Sequence, residues 1–164
     1  MKYFVSLALL AALAAPRAAL ANEHFNNNLP HEKGFGSLES RGAHRTQNAG
    51  ALAPSLQGQP VVVRIHADWC PACYASAGAL QSAIDQFKGK VHYVQFDVTS
   101  AKTAAVAAQD AQKLGLAKFF EATKAATSTV AVIDPKTGDV VAEFYADTNS
   151  MDYVSAIEKT QQRL

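Results

Sequence analysis

Two residues separate the only two cysteines of this 164-residue chain, and the pair follows directly on a largely apolar run. Val61-Val62-Val63-Arg64-Ile65-His66 leads into Ala67-Asp68-Trp69-Cys70-Pro71-Ala72-Cys73. A disulfide between Cys70 and Cys73 closes a ring of about four residues and contributes roughly 2 kcal/mol by loop closure, the weak end for a structural cross-link. A staple joins distant segments, whereas this pair joins neighbours, so it reads as a redox pair. A thiol at the start of a helix meets the unpaired N–H groups of the first turn, which favour thiolate, the attacking species in disulfide exchange. Pro71 then falls at the first helical position, where its missing N–H costs nothing. The local structure expected is strand, short turn and a helix that opens on CxxC.

The start of the chain speaks to compartment. Lys2 gives a positive n-region, the apolar stretch 4–15 is short for a membrane span, and Ala19-Leu20-Ala21 has the small residues of a cleavage site. Residues 1–21 read as a secretory signal peptide, with an uncleaved anchor as the alternative because Arg17 interrupts the end of the apolar stretch. Without Lys2 and Arg17, the 15 basic residues become 13 against 14 acidic, a formal charge of −1. That balance does not resemble the basic footprint of a nucleic-acid binder. Export places a lone CxxC in an oxidising compartment, where it is an oxidant or is kept reduced by a dedicated donor. The expected location is periplasmic or secreted, with membrane association only if the signal is retained.

Residues 22–57 are rich in Asn, Gly, Ser, His and Arg, have no sustained period, and read as a polar, flexible lead-in. His24, His31 and His44 are spaced too irregularly for a structured metal site and read as solvated. Leu52 and Leu56 are the candidates for packing part of this segment on the domain as a short helix or edge strand.

From residue 58 to 164 the periods are clear. A buried strand is expected at 60–67, then a helix at 71–87 carrying Leu80, Ile84 and Phe87 and stopped by Gly89. A second strand spans 91–98, and an Ala-rich helical stretch follows at 102–124, broken at Gly115, with Leu114, Leu116, Phe119 and Phe120 as its apolar surface. Thr129–Ile133 and Val140–Tyr145 are two strands around the turn Asp134-Pro135-Lys136-Thr137-Gly138, short enough for a hairpin. The last helix is Ser150–Gln161, with Met151, Val154 and Ile157 as its stripe.

This order, with Trp-Cys-Pro-Ala-Cys after the first strand, resembles the thioredoxin superfamily over residues 58–164, and Pro-Ala between the cysteines looks more like its exported members than like cytoplasmic thioredoxin. The resemblance implies a thioredoxin-like α/β fold: a central mixed sheet flanked by helices, here with a helical insertion before the third core strand. It also implies thiol–disulfide oxidoreductase activity, with Cys70 as the exposed nucleophile, Cys73 as the buried resolving cysteine, and no cofactor. The insertion is read as a solvated elaboration rather than a partner surface.

Three departures bear on the chemistry. The family's buried Asp, six residues before the first cysteine, is here Arg64, which cannot accept a proton. Pointed at the thiols, its charge would favour thiolate, with a lowered Cys70 pKa as the expected sign. The Asp's usual lysine neighbour aligns with Gln95. The family's cis-proline opposite the cysteines is replaced by Ser128, so the Thr127–Ser128 bond is expected to be trans, with the Ser128 hydroxyl and N–H facing the cysteines. Such a loop is expected to narrow or alter the range of disulfide substrates, with Ser128→Pro improving activity or changing that range.

Other residues near the pair invite readings of their own. His66 shares a strand face with Arg64 and either tunes the thiols, joins them as a metal ligand, or is a core histidine with a local hydrogen bond. Trp69 is expected to pack beside the turn and shield it. Asp68 reads as a solvent-facing carboxylate in preference to a proton relay, and Tyr74 as surface.

Two function classes follow. The first is an exported thiol–disulfide oxidoreductase that exchanges or reduces disulfides of exported proteins and works with a redox donor or acceptor protein. The alternative is a binding module of the same fold with weak turnover, carrying Cu(I) on Cys70, Cys73 and His66. Two thiols supply only half of a structural zinc set.

Overall fold

The computed structural model describes residues 50–164. The expected signal peptide and His24, His31 and His44 lie outside the described residues. Four strands, β1 (Val61–His66), β2 (His92–Asp97), β3 (Thr129–Ile133) and β4 (Val140–Tyr145), form one sheet in the order β2-β1-β3-β4. β1 runs parallel to β2 and antiparallel to β3, and β3 and β4 pair as an antiparallel hairpin, so the sheet is mixed as the resemblance implies. Four α-helices flank it: α1 (Pro71–Gln86), α2 (Ala101–Leu114), α3 (Ala117–Thr123) and α4 (Ser150–Gln161).

Alternation along the strands sends side chains to two cores. Val61, Val63 and Ile65 of β1 join Ala131 and Ile133 of β3 under α2 and α3, while Val62, Val130 and Val132 meet Leu80 and Ala83 of α1 and Tyr153, Val154 and Ile157 of α4. Arg64 and His66 share the parity of Val62, which places them on the α1 and α4 side of the sheet. The register pairs Arg64 with Gln95.

The break expected at Gly115 is present: with φ at +77° it caps α2 in the left-handed region, and Leu116 N–H turns back to the Ala111 carbonyl at 2.7 Å. The helical stretch is not a solvated elaboration. Ala107 and Ala111 of α2 and Phe119 and Phe120 of α3 are buried against the sheet, with Phe120 edge-on to Phe96 at 5.2 Å. Apolar residues on one side of a helix need a surface to cover, and the otherwise bare second face of the sheet supplies it.

In α4 the buried aromatic is Tyr153, and Met151 is 57% exposed, so the expected stripe begins too early. Tyr153 stacks edge-on with Phe144 at 4.9 Å and spends its hydroxyl on the Asp147 carbonyl.

Pro54–Leu56 is a short 3-10 helix, and Leu52 and Leu56 are both buried in the core under α2 and α3. The Gln57 side-chain amide donates to the carbonyls of Leu52 and Pro135, each at 2.8 Å, and Leu52 N–H bonds the Pro135 carbonyl. Residues 50–57 therefore pack on the domain.

Candidate functional site

Cys70 is the N-cap of α1, and its sulfur takes the place of the oxygen that usually caps a helix. The Cys73 N–H points at Cys70 Sγ at 3.2 Å, and Pro71 occupies the first turn. Cys70 is recessed instead of exposed as expected: 4% of its surface reaches solvent, against none of Cys73. The pair lies among Ala67, Ala72 and Val98, and the loop before β3 closes over Cys70 from the facing side.

The two thiols differ in the sense that exchange chemistry needs. Burial opposes ionisation of Cys70, but hydrogen bonds from Cys73, from the Thr127 hydroxyl and from the N–H groups of Cys73 and Ala72 outweigh it and hold this thiol below its ordinary range. Burial pushes the Cys73 thiol up, and so does its neighbour Cys70, while Ala67 and the Arg64 charge pull it partway back. Cys73 Sγ lies 3.9 Å from the Ile65 carbonyl.

Arg64 points inward. It is 7% exposed, its Nη2 donates to the Cys73 carbonyl in the first turn of α1, and its Nε is buried without a hydrogen-bond partner. The charge is felt at Cys73, while the groups that chiefly lower the Cys70 pKa are Cys73, Thr127 and the N–H groups of the first turn. Helix geometry is the reason: Cys73 lies one turn further into α1, above the sheet face from which Arg64 projects.

The loop opposite the cysteines departs from expectation in its hydrogen bonding. The Thr127–Ser128 bond is trans, as expected. However, Ser128 adopts φ of +70°, and its N–H is spent on the Ile65 carbonyl at 2.9 Å. Its hydroxyl meets the Ser76 hydroxyl of α1 at 3.1 Å, and its carbonyl accepts from Ala146, also left-handed at φ of +52°. Ser128 therefore faces the helix and the neighbouring strands, and the hydroxyl turned to Cys70 belongs to Thr127. A left-handed residue turns its flanking groups to directions that neither an extended chain nor a cis-proline would give.

The remaining residues brace the turn. Trp69 does not shield the thiols: it is 62% exposed, and its indole N–H bonds the Thr99 carbonyl at 3.0 Å. The Thr99 hydroxyl accepts from Asp68 N–H, and Thr99 N–H bonds Asp97, whose carboxyl is held below the usual range by the Thr99 hydroxyl and N–H. His66 Nε2 is 3.1 Å from Asp68 Oδ1, its Nδ1 is buried without a partner, and its ring meets Tyr74 edge-on at 6.4 Å. Tyr74 is exposed and donates to the Asp68 carbonyl at 2.9 Å. Among the described residues no group of three or more His, Cys, Asp or Glu is placed to hold a metal ion, so His66 does not complete a ligand set with the cysteines.

An open groove of about 320 Å³ is lined by Trp69, the neighbour of Cys70, with Thr127, Ala101, Ala104, Lys124 and Ala125. The helical insertion thus supplies a wall of this groove. The sequence assigns no role to the side chains of Thr127, Ser76 and Thr99. The signal for the first was its place beside the expected proline position, and nothing local marks the other two, whose partners lie 52 and about 30 residues away along the chain.

Residues 49–129 match the family model for thioredoxin. Thioredoxin C-2 of Corynebacterium nephridii is 43% identical over 47 residues, which cover 29% of this chain and 44% of that protein, so the chain spans less than half the length of this curated relative. Among solved structures, a DsbF homologue from Corynebacterium diphtheriae aligns with a TM-score of 0.46 at 18% identity, covering 64% of this chain and 74% of its own. A thiol:disulfide interchange protein from Chlorobium tepidum TLS aligns at 0.47 and 17%, covering 65% and 83%. The fold is the thioredoxin-like α/β fold, a mixed four-stranded sheet between helices, and the two cysteines stand at CxxC spacing within it.

Proposed function

We propose that this thioredoxin-like domain is an exported thiol–disulfide oxidoreductase that exchanges disulfides with exported protein partners through Cys70 and Cys73. The observation that carries the reading is Cys70 Sγ at the N-cap of α1, where backbone N–H groups and the Thr127 hydroxyl favour its thiolate. Export rests on the signal-like residues 1–21, and the absence of any required cofactor on the self-sufficiency of dithiol chemistry.

In the reducing direction, Cys70 thiolate attacks one sulfur of a partner disulfide. The partner's S–S bond breaks and its second sulfur leaves as thiolate. Cys73 then loses its proton to solvent and attacks Cys70 Sγ; the mixed disulfide breaks, the partner leaves reduced, and the Cys70–Cys73 disulfide remains. Two electrons pass to the partner, and each step is reversible. Water is the proton acceptor because Arg64 occupies the place where a carboxylate would assist. The groove between Trp69 and Lys124 is where chain flanking the partner cysteine would lie.

Cys73→Ser should accumulate partners linked through Cys70, because the resolving step is lost while attack is retained. Cys70→Ser should trap none. Trapping through Cys73 with equal inactivity of both variants, or retention of exchange activity by Cys70→Ser, would overturn the assignment. Cleavage and export are checked by the N-terminus and cell fraction of the full chain, and retention inside the cell would remove the exported part of the reading.

A further inference from the structure

Once Cys70 is bonded to a partner sulfur, the next thiol of the chain to act is Cys73, and its surroundings hold it protonated. None of its surface reaches solvent, it packs among Ala67, Ala72 and Val98, and its S–H is directed at the Ile65 carbonyl at 3.9 Å. A carbonyl acceptor favours the thiol over the thiolate. Attack needs the thiolate, so the proton must first go to a base. Among the described residues the elements around the pair offer none. Arg64 on β1 donates Nη2 to the Cys73 carbonyl, and a guanidinium takes no proton. His66, two residues on, faces Asp68 with Nε2 at 3.1 Å, and its buried Nδ1 has no partner, so it does not reach a sulfur. On β2, Tyr93 and Asp97 are engaged by Gln95 and Thr99, and on α4 the Tyr153 hydroxyl is bonded to the Asp147 carbonyl. The loop before β3 brings hydroxyls at Thr127 and Ser128, and Lys124 at its start is paired with Glu121. Burial, the largest cause of the raised Cys73 thiol, persists while Cys70 is bonded to a partner, although the repulsion from Cys70 then falls away and the Arg64 charge still pulls the other way.

We propose, resting on the oxidoreductase reading above, that this chain rearranges the disulfides of partners that carry several of them, because Cys73 closes the mixed disulfide so slowly that the partner's own thiols act first. Cys70 thiolate attacks one sulfur of a partner disulfide; the Cys70–partner bond forms, the partner S–S bond breaks, and its second sulfur leaves as thiolate. That thiolate attacks another disulfide of the same partner, forming a new S–S bond and releasing a further thiolate. The released thiolate attacks the partner sulfur bonded to Cys70 and expels Cys70 as thiolate. Two S–S bonds of the partner have been exchanged for two others, no electrons have passed between the proteins, and no co-reactant is consumed. Closure by Cys73 is the competing path, in which its proton goes to solvent and two electrons pass to the partner.

Both competitors are tethered to the same mixed disulfide, so proximity does not separate them and the thiolate fraction does. Solvent-facing partner thiols ionise near the ordinary value, whereas Cys73 is buried with its proton held, and the rate of exchange follows the thiolate. A partner with a single disulfide has no second bond to attack, and its displaced thiolate either reverses the first step or waits for Cys73. The favoured substrates are therefore proteins with two or more disulfides.

The test uses the reduced full chain. It is mixed with glutathione disulfide over about pH 6 to 9, and acid-quenched samples are read by mass spectrometry for glutathione on Cys70 and for the Cys70–Cys73 disulfide. Glutathione uptake should level off below the ordinary thiol value of about 8.5, and closure should still rise by about tenfold per pH unit through that value. At neutral pH a ribonuclease with scrambled disulfides should return to its native pairing with no gain of free thiols, and the chain should be recovered still reduced. Arg64→Asp, which puts a carboxylate and room for water where the guanidinium lies, should speed closure by about tenfold or more and turn the ribonuclease outcome toward reduction. An Arg64→Asp protein that is folded by circular dichroism and closes at the parent rate overturns the proposal. So does parent closure that levels off below about 8.5, which would mark His66 as taking the proton. A ribonuclease that gains thiols as the chain becomes oxidised, or that keeps its scrambled pairing, overturns it as well. Should Arg64→Asp fail to fold, the parent pH profile and the recovered redox state of the chain decide. A chain that takes up glutathione on Cys70 and closes as fast as the mixed disulfide forms leaves the oxidoreductase reading standing and overturns the rearrangement, whereas a chain that forms neither disulfide overturns both.

Discussion

Cys70 and Cys73 have the same side chain and opposite displacements from ordinary thiol behaviour, because one caps a helix and the other is buried behind it. On the proposed function the chain reacts as thiolate at Cys70, so the rate of thiol alkylation or disulfide attack should rise with pH and level off below the ordinary thiol value of about 8.5. The Thr127 hydroxyl contributes to that position through a hydrogen bond to the charged form. Thr127→Val keeps the shape and removes the donor, and a hydrogen bond to an ionised group is worth about 1.5–3 kcal/mol, so the midpoint should move upward by about one pH unit. An alkylation profile that superimposes on the parent's would show that the hydroxyl does not reach the sulfur.

The element that departs most from the family resemblance is the loop between α3 and β3. Its geometry rests on Ser128 in the left-handed region, with the N–H, carbonyl and hydroxyl of that residue all bonded. Proline fixes φ near −65°, which is incompatible with +70°, and it has no N–H for the Ile65 carbonyl. Ser128→Pro should therefore lower stability by about 3 kcal/mol, visible as a lower urea midpoint. Introduction of a proline here is thus expected to cost stability, alongside the expected improvement in activity or change in substrate range. An unchanged midpoint would mean that the loop rearranges around the ring. The insertion is the other element whose role changed on folding: the Ala-rich composition of α2 reads as solvated, yet Ala107 and Ala111 let the helix lie close on the sheet, and the residues at its ends wall the groove lined by Trp69.

At the scale of the described domain, two cores lie on opposite faces of one sheet, and the segment before β1 belongs to the core under α2 and α3. Leu52 and Leu56 are buried there, and Gln57 ties the segment to Pro135 in the hairpin turn. Burial of a leucine side chain contributes about 1.5–3 kcal/mol, so a protein of residues 58–164 should be less stable than one of residues 50–164 by about 4 kcal/mol. Matched denaturation curves measure the difference, and coincident midpoints would show that the segment only rests on the surface.

The elements and the redox pair were legible in sequence because their causes are local. Strand and helix periods need only neighbouring residues, Gly115 marks its own left-handed cap, and Cys70-Pro71-Ala72-Cys73 carries the helix start and the chemistry together. The sequence by itself thus determined the strand–turn–CxxC–helix unit, the element order and the identity of Arg64 and Ser128 at two of the three places where the family pattern is broken. Only the tertiary structure decided what those two residues do. Whether a guanidinium reaches Cys73 or Cys70 depends on how α1 crosses the sheet, and whether Ser128 or Thr127 turns a hydroxyl to the thiol depends on a backbone angle set by bonds to Ile65, Ser76 and Ala146, residues that lie 63, 52 and 18 positions away along the chain.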